Sequence, residues 1–167
     1  MNTVNNVTRF LDSHKVPYKI FEFPPEKLGA LDVANLLDVE PDSVFKTIVT
    51  TRDKPTSSPQ RKKPLLVLVP GMSEVDLKLL ASVVGEKKVY LPTERDAERL
   101  TGLQAGGISP LALINKGFQV VIDSSAQRYS EIHISGGQRG LNILLPVDAL
   151  VRLTNARIGQ VCRLLDE

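Results

Sequence analysis

Apolar residues recur along this chain with two periods, one typical of helices and one typical of strands. Val4, Val7, Phe10 and Leu11 follow helical spacing, so a helix is predicted over residues 3–14. The same reasoning predicts helices within residues 31–37, 72–85, 92–102 and 146–167, the last with a final turn, and a helical turn that starts at Pro41.

The predicted helix within residues 72–85 carries boundary signals on both sides. Ser73 is predicted to be its N-cap because an acidic residue, Asp76, follows three positions later. Gly85 is predicted to end it, since glycine readily adopts the left-handed conformation that is common after helices.

Strands are predicted where β-branched residues cluster or where polarity alternates. Several are at hairpin spacing, so we expect one mixed α/β (α+β) domain, residues 1–167, around a twisted, largely antiparallel sheet with flanking helices. The polar and proline-rich residues 52–64 are predicted to be a hairpin-like connector. The predicted strands lie at residues 16–23, 44–51, 64–70, 87–91, 117–123, 130–135 and 140–145.

Composition narrows the class of protein without naming a function. With 167 residues, 42% apolar and 24% charged, the chain has the make-up of an ordinary globular domain. The net charge of +2 neither demands nor excludes nucleic acid, since a basic patch can hide in a balanced total. One cysteine, no segment of signal-peptide character and no long apolar run predict a cytoplasmic protein without a membrane span.

Common catalytic motifs are missing from the sequence. His14 and His133 are far apart, so no metal site is predicted. Cys162 lies at helical spacing from Ile158 and Leu165 and is interpreted as a structural thiol rather than a nucleophile. His133 and Ser135 share a strand face, which leaves a Ser–His dyad open, but we favour a surface histidine beside a site serine. There is no GxxxxGK[ST] or GxGxxG loop.

Lys46 and two glycine-rich loops are the remaining candidates for chemistry. Lys46 interrupts an apolar strand, where it is either solvated or placed in a cleft to hold a phosphate or polarise an ester carbonyl. The loops GLQAGGISPLAL (102–113) and SGGQRG (135–140) are either tight turns or nests of N–H groups that bind an anion. Their combination with a lysine and a serine favours a single site.

Three segments resemble the YbaK/ProX/EbsC family of aminoacyl-tRNA editing domains. VFKTIV (44–49), GLQAGGISPLAL and VIDSSAQRYSEIHISGGQRGLNI (121–143) are similar to the family's motifs, in the same order. The resemblance is strongest to the bacterial branch that deacylates cysteinyl-tRNA(Pro). It implies a partial barrel with flanking helices, a trans-editing aminoacyl-tRNA deacylase and no metal or organic cofactor.

The resemblance also implies roles for individual residues. Lys46 would hold the substrate, and the N–H groups of Gly106 and Gly107 would face the scissile ester or the terminal ribose, opposite Ser135. The substrate's own thiol would attack its ester carbonyl, so no protein nucleophile is implied. The remaining substrate-binding residues implied are Phe23, Thr47, Ile108, Ser109, Pro110, Gly136, Gly137 and Asn142.

Two departures from the family pattern leave the edited amino acid open. Asn142 stands where the family has an acidic residue, and Phe23 stands where the cysteine-specific branch often has a tyrosine. The alternatives are deacylation of alanyl or other small aminoacyl esters, or a non-catalytic module that binds tRNA or a synthetase. The expected partners are the 3′ acceptor end of aminoacylated tRNA and prolyl-tRNA synthetase. Basic residues of the connector are either tRNA-backbone contacts or a solvated tip: Arg52, Lys54, Arg61, Lys62 and Lys63.

Overall fold

The computed structural model of the protein describes residues 3–54 and 60–164. None of the helices in these ranges has the length and apolar character that a membrane span requires. The described helices are α1 (Asn6–Ser13), α2 (Ala30–Leu37), α3 (Leu77–Val84), α4 (Glu94–Thr101) and α5 (Val147–Thr154), with short 3₁₀ turns at Pro41–Ser43, Pro110–Leu113 and Ser124–Arg128.

The described strands form three sheets rather than the single sheet that was expected. A three-stranded antiparallel sheet has the order β1-β7-β6, a four-stranded mixed sheet has the order β2-β3-β5-β8, and β4 pairs with β9. The two larger sheets meet at a parallel bridge between Val44 and His133, and no closed barrel forms among the described strands. The strands are β1 (Lys19–Glu22), β2 (Phe45–Thr50), β3 (Leu65–Pro70), β4 (Ser73–Val75), β5 (Gln119–Asp123), β6 (Glu131–Ser135), β7 (Leu141–Pro146), β8 (Arg157–Gly159) and β9 (Cys162–Leu164).

The predicted mixed α+β architecture is confirmed. Four of the six strand pairings are antiparallel, and β3 pairs in parallel with β5, as β5 does with β8. β2 and β3 are antiparallel neighbours, as expected for strands joined by a hairpin-like connector. Residues 55–59 of that connector lie outside the described residues.

β3 is the centre of the core because it is apolar on both faces. Leu66 and Leu68 pack into the larger hydrophobic cluster, whereas Leu65 and Val67 pack into a second cluster beneath α3. Successive side chains of a strand point to opposite faces, so an uninterrupted apolar run fits a strand covered on both sides. This arrangement fixes the position of β2, which carries Lys46.

Four local predictions are wrong. Ser73 is not a helix N-cap: it lies in β4, and Asp76 caps α3 through its side-chain oxygen, 3.0 Å from the backbone N of Lys78. The predicted strand at residues 87–91 is reduced to one bridge between Tyr90 and Thr51. Within the described residues, α5 is followed by β8 and β9, whose partners are distant in sequence, and not by further helix. Cys162 consequently lies in a strand and not at helical spacing. The end of the predicted final turn, residues 165–167, lies outside the described residues.

Candidate active site

A cavity of about 500 Å³ lies beside β2. Its walls come from residues 23–30, from residues 91–97 with the start of α4, from the glycine loop around residues 105–108 and from residues 135–142. Clefts of this size suit a small group such as an aminoacylated ribose. The cavity therefore brings together the three segments that the sequence singled out.

Seven of the twelve predicted site residues line this cavity, and five do not. The lining residues are Phe23, Lys46, Thr47, Gly106, Ile108, Ser135 and Asn142. The residues outside the lining are Gly107, Ser109, Pro110, Gly136 and Gly137.

Lys46 is a half-buried cation in the cavity wall. It lies opposite Val69 of β3 and forms no ion pair with a carboxylate in residues 3–54 or 60–164. Burial lowers the pKa of Lys46, and the negative charge of Glu74 acts in the opposite direction. A partly desolvated ammonium without a carboxylate partner is suited to hold an electron-rich group of a ligand.

The glycine loop lines the cavity with Gly106 but not with Gly107. Gly106 has φ +87°, a conformation that favours glycine. The N–H of Gly107 donates to the carbonyl of Gln104 at 2.8 Å and is therefore engaged inside the loop. Of the two N–H groups expected to face the substrate, only that of Gly106 therefore stays a prediction.

The glycine loop packs directly against the turn at residues 136–140. A Cβ at Gly107 would lie 3.0 Å from the backbone N of Arg139, so any larger residue would have to push this backbone away by a few tenths of an ångström. Arg139 donates from Nε to the carbonyl of Ala105 at 2.7 Å, and Ser135 Oγ lies 3.4 Å from the carbonyl of Gly106. Sequence reasoning missed the role of Arg139, although it belongs to a quoted motif.

The remaining predicted residues support these loops from outside the cavity. The N–H of Gly136 donates to the carbonyl of Leu141 at 2.8 Å, and the N–H of Gly137 lies 3.3 Å from Ser135 Oγ. Both N–H groups are engaged inside the turn, so neither Gly136 nor Gly137 offers a donor to an anion. Ser109 is buried, and its hydroxyl accepts from the N–H of Leu111 at 3.2 Å, which starts the 3₁₀ turn at Pro110.

His133 is buried, so the prediction of a surface histidine is wrong. It is 4% exposed, and its Nδ1 lies 2.8 Å from the side-chain oxygen of Asn142. Burial lowers the pKa of His133, which keeps the imidazole neutral. No hydrogen bond joins His133 to Ser135 in the described structure, and the arrangement lacks the geometry of a Ser–His dyad.

An ion pair closes one side of the cavity mouth. Lys27 Nζ lies 2.7 Å from a carboxylate oxygen of Glu94, and both residues line the cavity. Both side chains are more than half exposed, so the pair is accessible to solvent. No pattern in the sequence predicts this contact, because the two residues are distant along the chain.

The basic connector is partly neutralised. Arg52 and Lys62 both lie 3.0 Å from carboxylate oxygens of Glu86. Arg52 is largely buried, which makes it a poor candidate for the tRNA contact that was considered. Within residues 3–54 and 60–164, no group of three or more His, Cys, Asp or Glu side chains is placed to hold a metal ion.

Comparison with known proteins identifies the family. A family model described as "Aminoacyl-tRNA editing domain" matches residues 25–153, which include the whole cavity wall except Phe23. The chain belongs to the aminoacyl-tRNA editing domain family. The resemblance found in the sequence is thereby confirmed, and the cavity is the candidate editing site.

Individual relatives agree with this assignment. The chain is 38% identical over 158 residues to EbsC of Enterococcus faecalis, covering 93% of this chain and 92% of EbsC. The name of EbsC provisionally assigns it Cys-tRNA(Pro)/Cys-tRNA(Cys) deacylase activity. This editing-domain fold also matches two solved structures that are too distant in sequence to show more than the fold.

The first of these is the hypothetical protein APE2540, with a TM-score of 0.82 and 19% identity, covering 95% of this chain and all of that one. The second is provisionally described as a trans-editing enzyme for prolyl-tRNA synthetase, with a TM-score of 0.75 and 21% identity. This second match covers 97% of the present chain and 99% of the solved structure. Both matches extend over nearly the whole domain.

Proposed function

We propose that this editing domain acts in trans as a deacylase of cysteinyl-tRNA(Pro). The ester bond between the cysteinyl carboxyl group and the terminal ribose would be cleaved, leaving intact tRNA. The observation that carries the proposal is a cavity lined by Gly106 and by Lys46, which has no carboxylate partner, with no activated nucleophile among the described residues. Likeness to EbsC over 93% of the chain supports cysteine as the amino acid.

The chemistry of the proposed reaction needs little from the protein. The substrate thiol attacks its own ester carbonyl, the ribose hydroxyl leaves with a proton, and water then opens the resulting thiolactone to free cysteine. Lys46 and the N–H of Gly106 would orient the ester and stabilise negative charge on its carbonyl oxygen. Such positioning is sufficient because the nucleophile and the electrophile belong to the same molecule.

A second candidate is deacylation of another small aminoacyl ester. Asn142 is neutral where the family has an acid, and its oxygen is occupied by His133, so this part of the wall carries no negative charge. Editing itself is needed because a synthetase pocket separates near-isosteric amino acids by only about 1–3 kcal/mol. Alanyl and seryl esters are therefore the comparisons that matter.

The proposed partners are the acceptor end of the tRNA and prolyl-tRNA synthetase. A domain of net charge +2 has limited electrostatic attraction for tRNA, so selection of tRNA(Pro) would come partly from a synthetase. Binding of the synthetase can be measured separately from ester hydrolysis.

The half-lives of cysteinyl-, alanyl- and seryl-tRNA(Pro) with catalytic amounts of protein test the proposal. Rapid loss of the cysteinyl ester alone, abolished by Lys46→Ala, is the expected result. Loss of another ester would favour the second candidate. If no ester is hydrolysed faster than in buffer, the proposed deacylation fails, and the third alternative, a non-catalytic module that binds tRNA or a synthetase, is favoured.

A further inference from the structure

The cavity lies along an edge of β2 and not over one of its faces. Six consecutive residues, Val44 to Val49, line it. Successive side chains of a strand point to opposite faces, so a cavity over one face would be lined by every second residue. Contact with all six requires that the cavity run beside the strand, where backbone groups are within reach.

Hydrogen bonds at both ends of β2 show which backbone groups point into the cavity. The N–H of Gly71 donates to the carbonyl of Val44 at 2.8 Å, in register with the antiparallel β2–β3 pair. Backbone groups alternate in direction along such a strand, so those of Thr47 point away from β3. Thr51 confirms this alternation at the other end of β2, because it exchanges two backbone hydrogen bonds of 2.9 Å with Tyr90 on the edge away from β3.

This outer edge is unpaired where it borders the cavity. Among the described strands, β6 pairs with this edge only at the bridge between Val44 and His133, and the next bridge on the edge joins Thr51 to Tyr90. No other strand in the described part of the chain pairs with β2 on that side. A gap of this kind leaves backbone donors and acceptors available to a ligand.

Thr47 lies in the middle of the gap, where its N–H and its carbonyl have no strand partner among the described strands. Its hydroxyl oxygen is buried and has no hydrogen-bond partner among the described residues, but the same is true of Thr50, which does not line the cavity. The hydroxyl group therefore does not distinguish Thr47. The unpaired backbone donor and acceptor beside the cavity are the groups that point to a ligand.

We propose that the aminoacyl group of the substrate pairs with Thr47 as a one-residue extension of the sheet. The α-ammonium group donates to the carbonyl of Thr47, and the ester carbonyl accepts from the N–H of Thr47. An α-amino acid ester has its nitrogen and its carbonyl on the same carbon, as a strand residue does, so it can form both bonds of a close antiparallel pair. This inference rests on the proposed function.

The pairing separates recognition of the substrate class from recognition of the side chain. The two backbone bonds require only an α-amino acid ester. Side chains of directly opposite residues in an antiparallel pair lie on the same face of the sheet. The substrate side chain would therefore lie on the same face of the strand as the Thr47 side chain.

Removal of the ammonium group from the substrate is the first test. We would compare cysteinyl-tRNA(Pro) with 3-mercaptopropionyl-tRNA(Pro), which keeps the thiol and the ester, and divide each enzymatic rate by the uncatalysed rate of the same ester. A loss of roughly 10- to 100-fold is expected for the deaminated ester, as for a lost hydrogen bond to a charged group. Thr47→Val keeps the backbone groups, so this variant should show the same ratio of corrected rates between the cysteinyl and the deaminated ester as the unmodified protein.

The N–H of Thr47 can be tested by substitution and by spectroscopy. Thr47→Pro removes an N–H that does not face β3, so the β2–β3 ladder stays intact, and hydrolysis of both esters should fall at least 10-fold. Val49→Pro removes the next outward-facing N–H and is the matched control for backbone restriction. In the unmodified protein, binding of 3′-cysteinylamino-3′-deoxyadenosine should shift the amide resonance of Thr47 far more than that of Val49.

The outcomes distinguish this inference from the proposed function. Equal corrected rates for the two esters, or a Thr47 amide that does not respond to the aminoacyl analogue, would overturn the pairing while leaving deacylation intact. Val49 is 3% exposed and lines the cavity, so Val49→Pro counts only if urea unfolding shows that both proline variants are equally stable. In that case an equal effect of Val49→Pro would also overturn the assignment to Thr47. If no ester is hydrolysed but the Thr47 amide responds, the pairing stands and the proposed catalysis fails.

Discussion

The Nδ1 atom of His133 and the side-chain oxygen of Asn142 lie 2.8 Å apart between the neighbouring strands β6 and β7. Both residues are 4% exposed, and burial lowers the pKa of His133. In the unfolded chain the imidazole of His133 therefore takes up a proton near pH 6.5, whereas in the folded chain it does so only at a lower pH. The contribution of His133 to stability is full above about pH 6.5 and is lost as the pH falls below that value.

Asn142→Asp should reduce this loss of stability in acid. A carboxylate beside the imidazole favours its protonated form and raises the pKa of His133. Urea unfolding between about pH 5 and 7.5 should show a shallower fall in the free energy of unfolding for the variant than for the unmodified protein. His14→Gln is the control, since it changes the other, exposed histidine, and it should leave the fall unchanged. Equal slopes for Asn142→Asp and the unmodified protein would contradict the prediction.

Lys27 is predicted to contact tRNA phosphate once it leaves Glu94. Lys27→Gln should lower kcat/KM for an aminoacylated tRNA and reduce the slope of log kcat/KM against log salt by about one. Its effect on stability should be below about 1 kcal/mol, because the pair is exposed. Glu94→Gln should act in the opposite direction on kcat/KM by releasing the lysine.

Arg163→Gln is the matched control for Lys27→Gln. Arg163 forms a similarly exposed ion pair with Glu74 at 2.9 Å, but it does not line the cavity. Its substitution should leave the salt dependence unchanged. An equal change of slope in both variants would mean that general surface charge, and not the cavity mouth, attracts the tRNA.

Gly140 and Gly117 have nearly the same backbone conformation and different surroundings. Their φ values are +83° and +88°. A Cβ at Gly140 would lie 2.5 Å from the carbonyl oxygen of Phe23, whereas nothing lies within 4 Å of one at Gly117. Gly117→Ala should cost about 1 kcal/mol for the strained conformation, and Gly140→Ala at least about 2 kcal/mol more for the clash. Urea unfolding of both variants measures the difference in the free energy of unfolding. Equal losses of stability would show that the turn at Gly140 can move to accept the added Cβ.

The thiol of Cys162 should be unreactive in the folded protein. Burial, together with its hydrogen bond to Asp123, raises the pKa of Cys162 to about 11. Because the thiolate is the reactive form, alkylation at pH 8 should be roughly 100-fold slower in the folded protein than in urea. The rate in urea serves as the control. Similar rates in both conditions would show that the thiolate is readily formed in the folded state.

Sequence patterns located the long elements well because their signals are local. β2 and β3 are rich in β-branched and apolar residues, and α4 lies between the N-cap Thr93 and the C-cap Gly102. β4 and β9 were missed because each has three residues, and their pairing joins segments that are far apart in sequence. Strands this short are defined by their partners and not by their own composition.

The residues of the candidate site likewise fall into two groups, those that a sequence motif indicates and those whose roles depend on contacts in the folded chain. Motif resemblance indicated Lys46, Gly106 and Ser135, which line the cavity together. It could not indicate Lys27 and Glu94, whose contact depends on how the 23–30 segment lies against α4. Nor could it assign the N–H of Gly107, since that depends on the local turn to Gln104. Roles that depend on tertiary contacts became visible only in the structure.

The separation of β1 from its partner bears on how the chain folds during synthesis. Lys19 lies opposite Leu144, so β1 must wait for β7 before it can pair. When β2 and β3 have emerged from the ribosome but the segment from Ser135 to Asn142 has not, the cavity lacks its far wall. The outer edge of β2 is then open to other strands, including those of neighbouring nascent chains. Slow translation between β3 and β7 should therefore lower the yield of folded protein more than slow translation after α5.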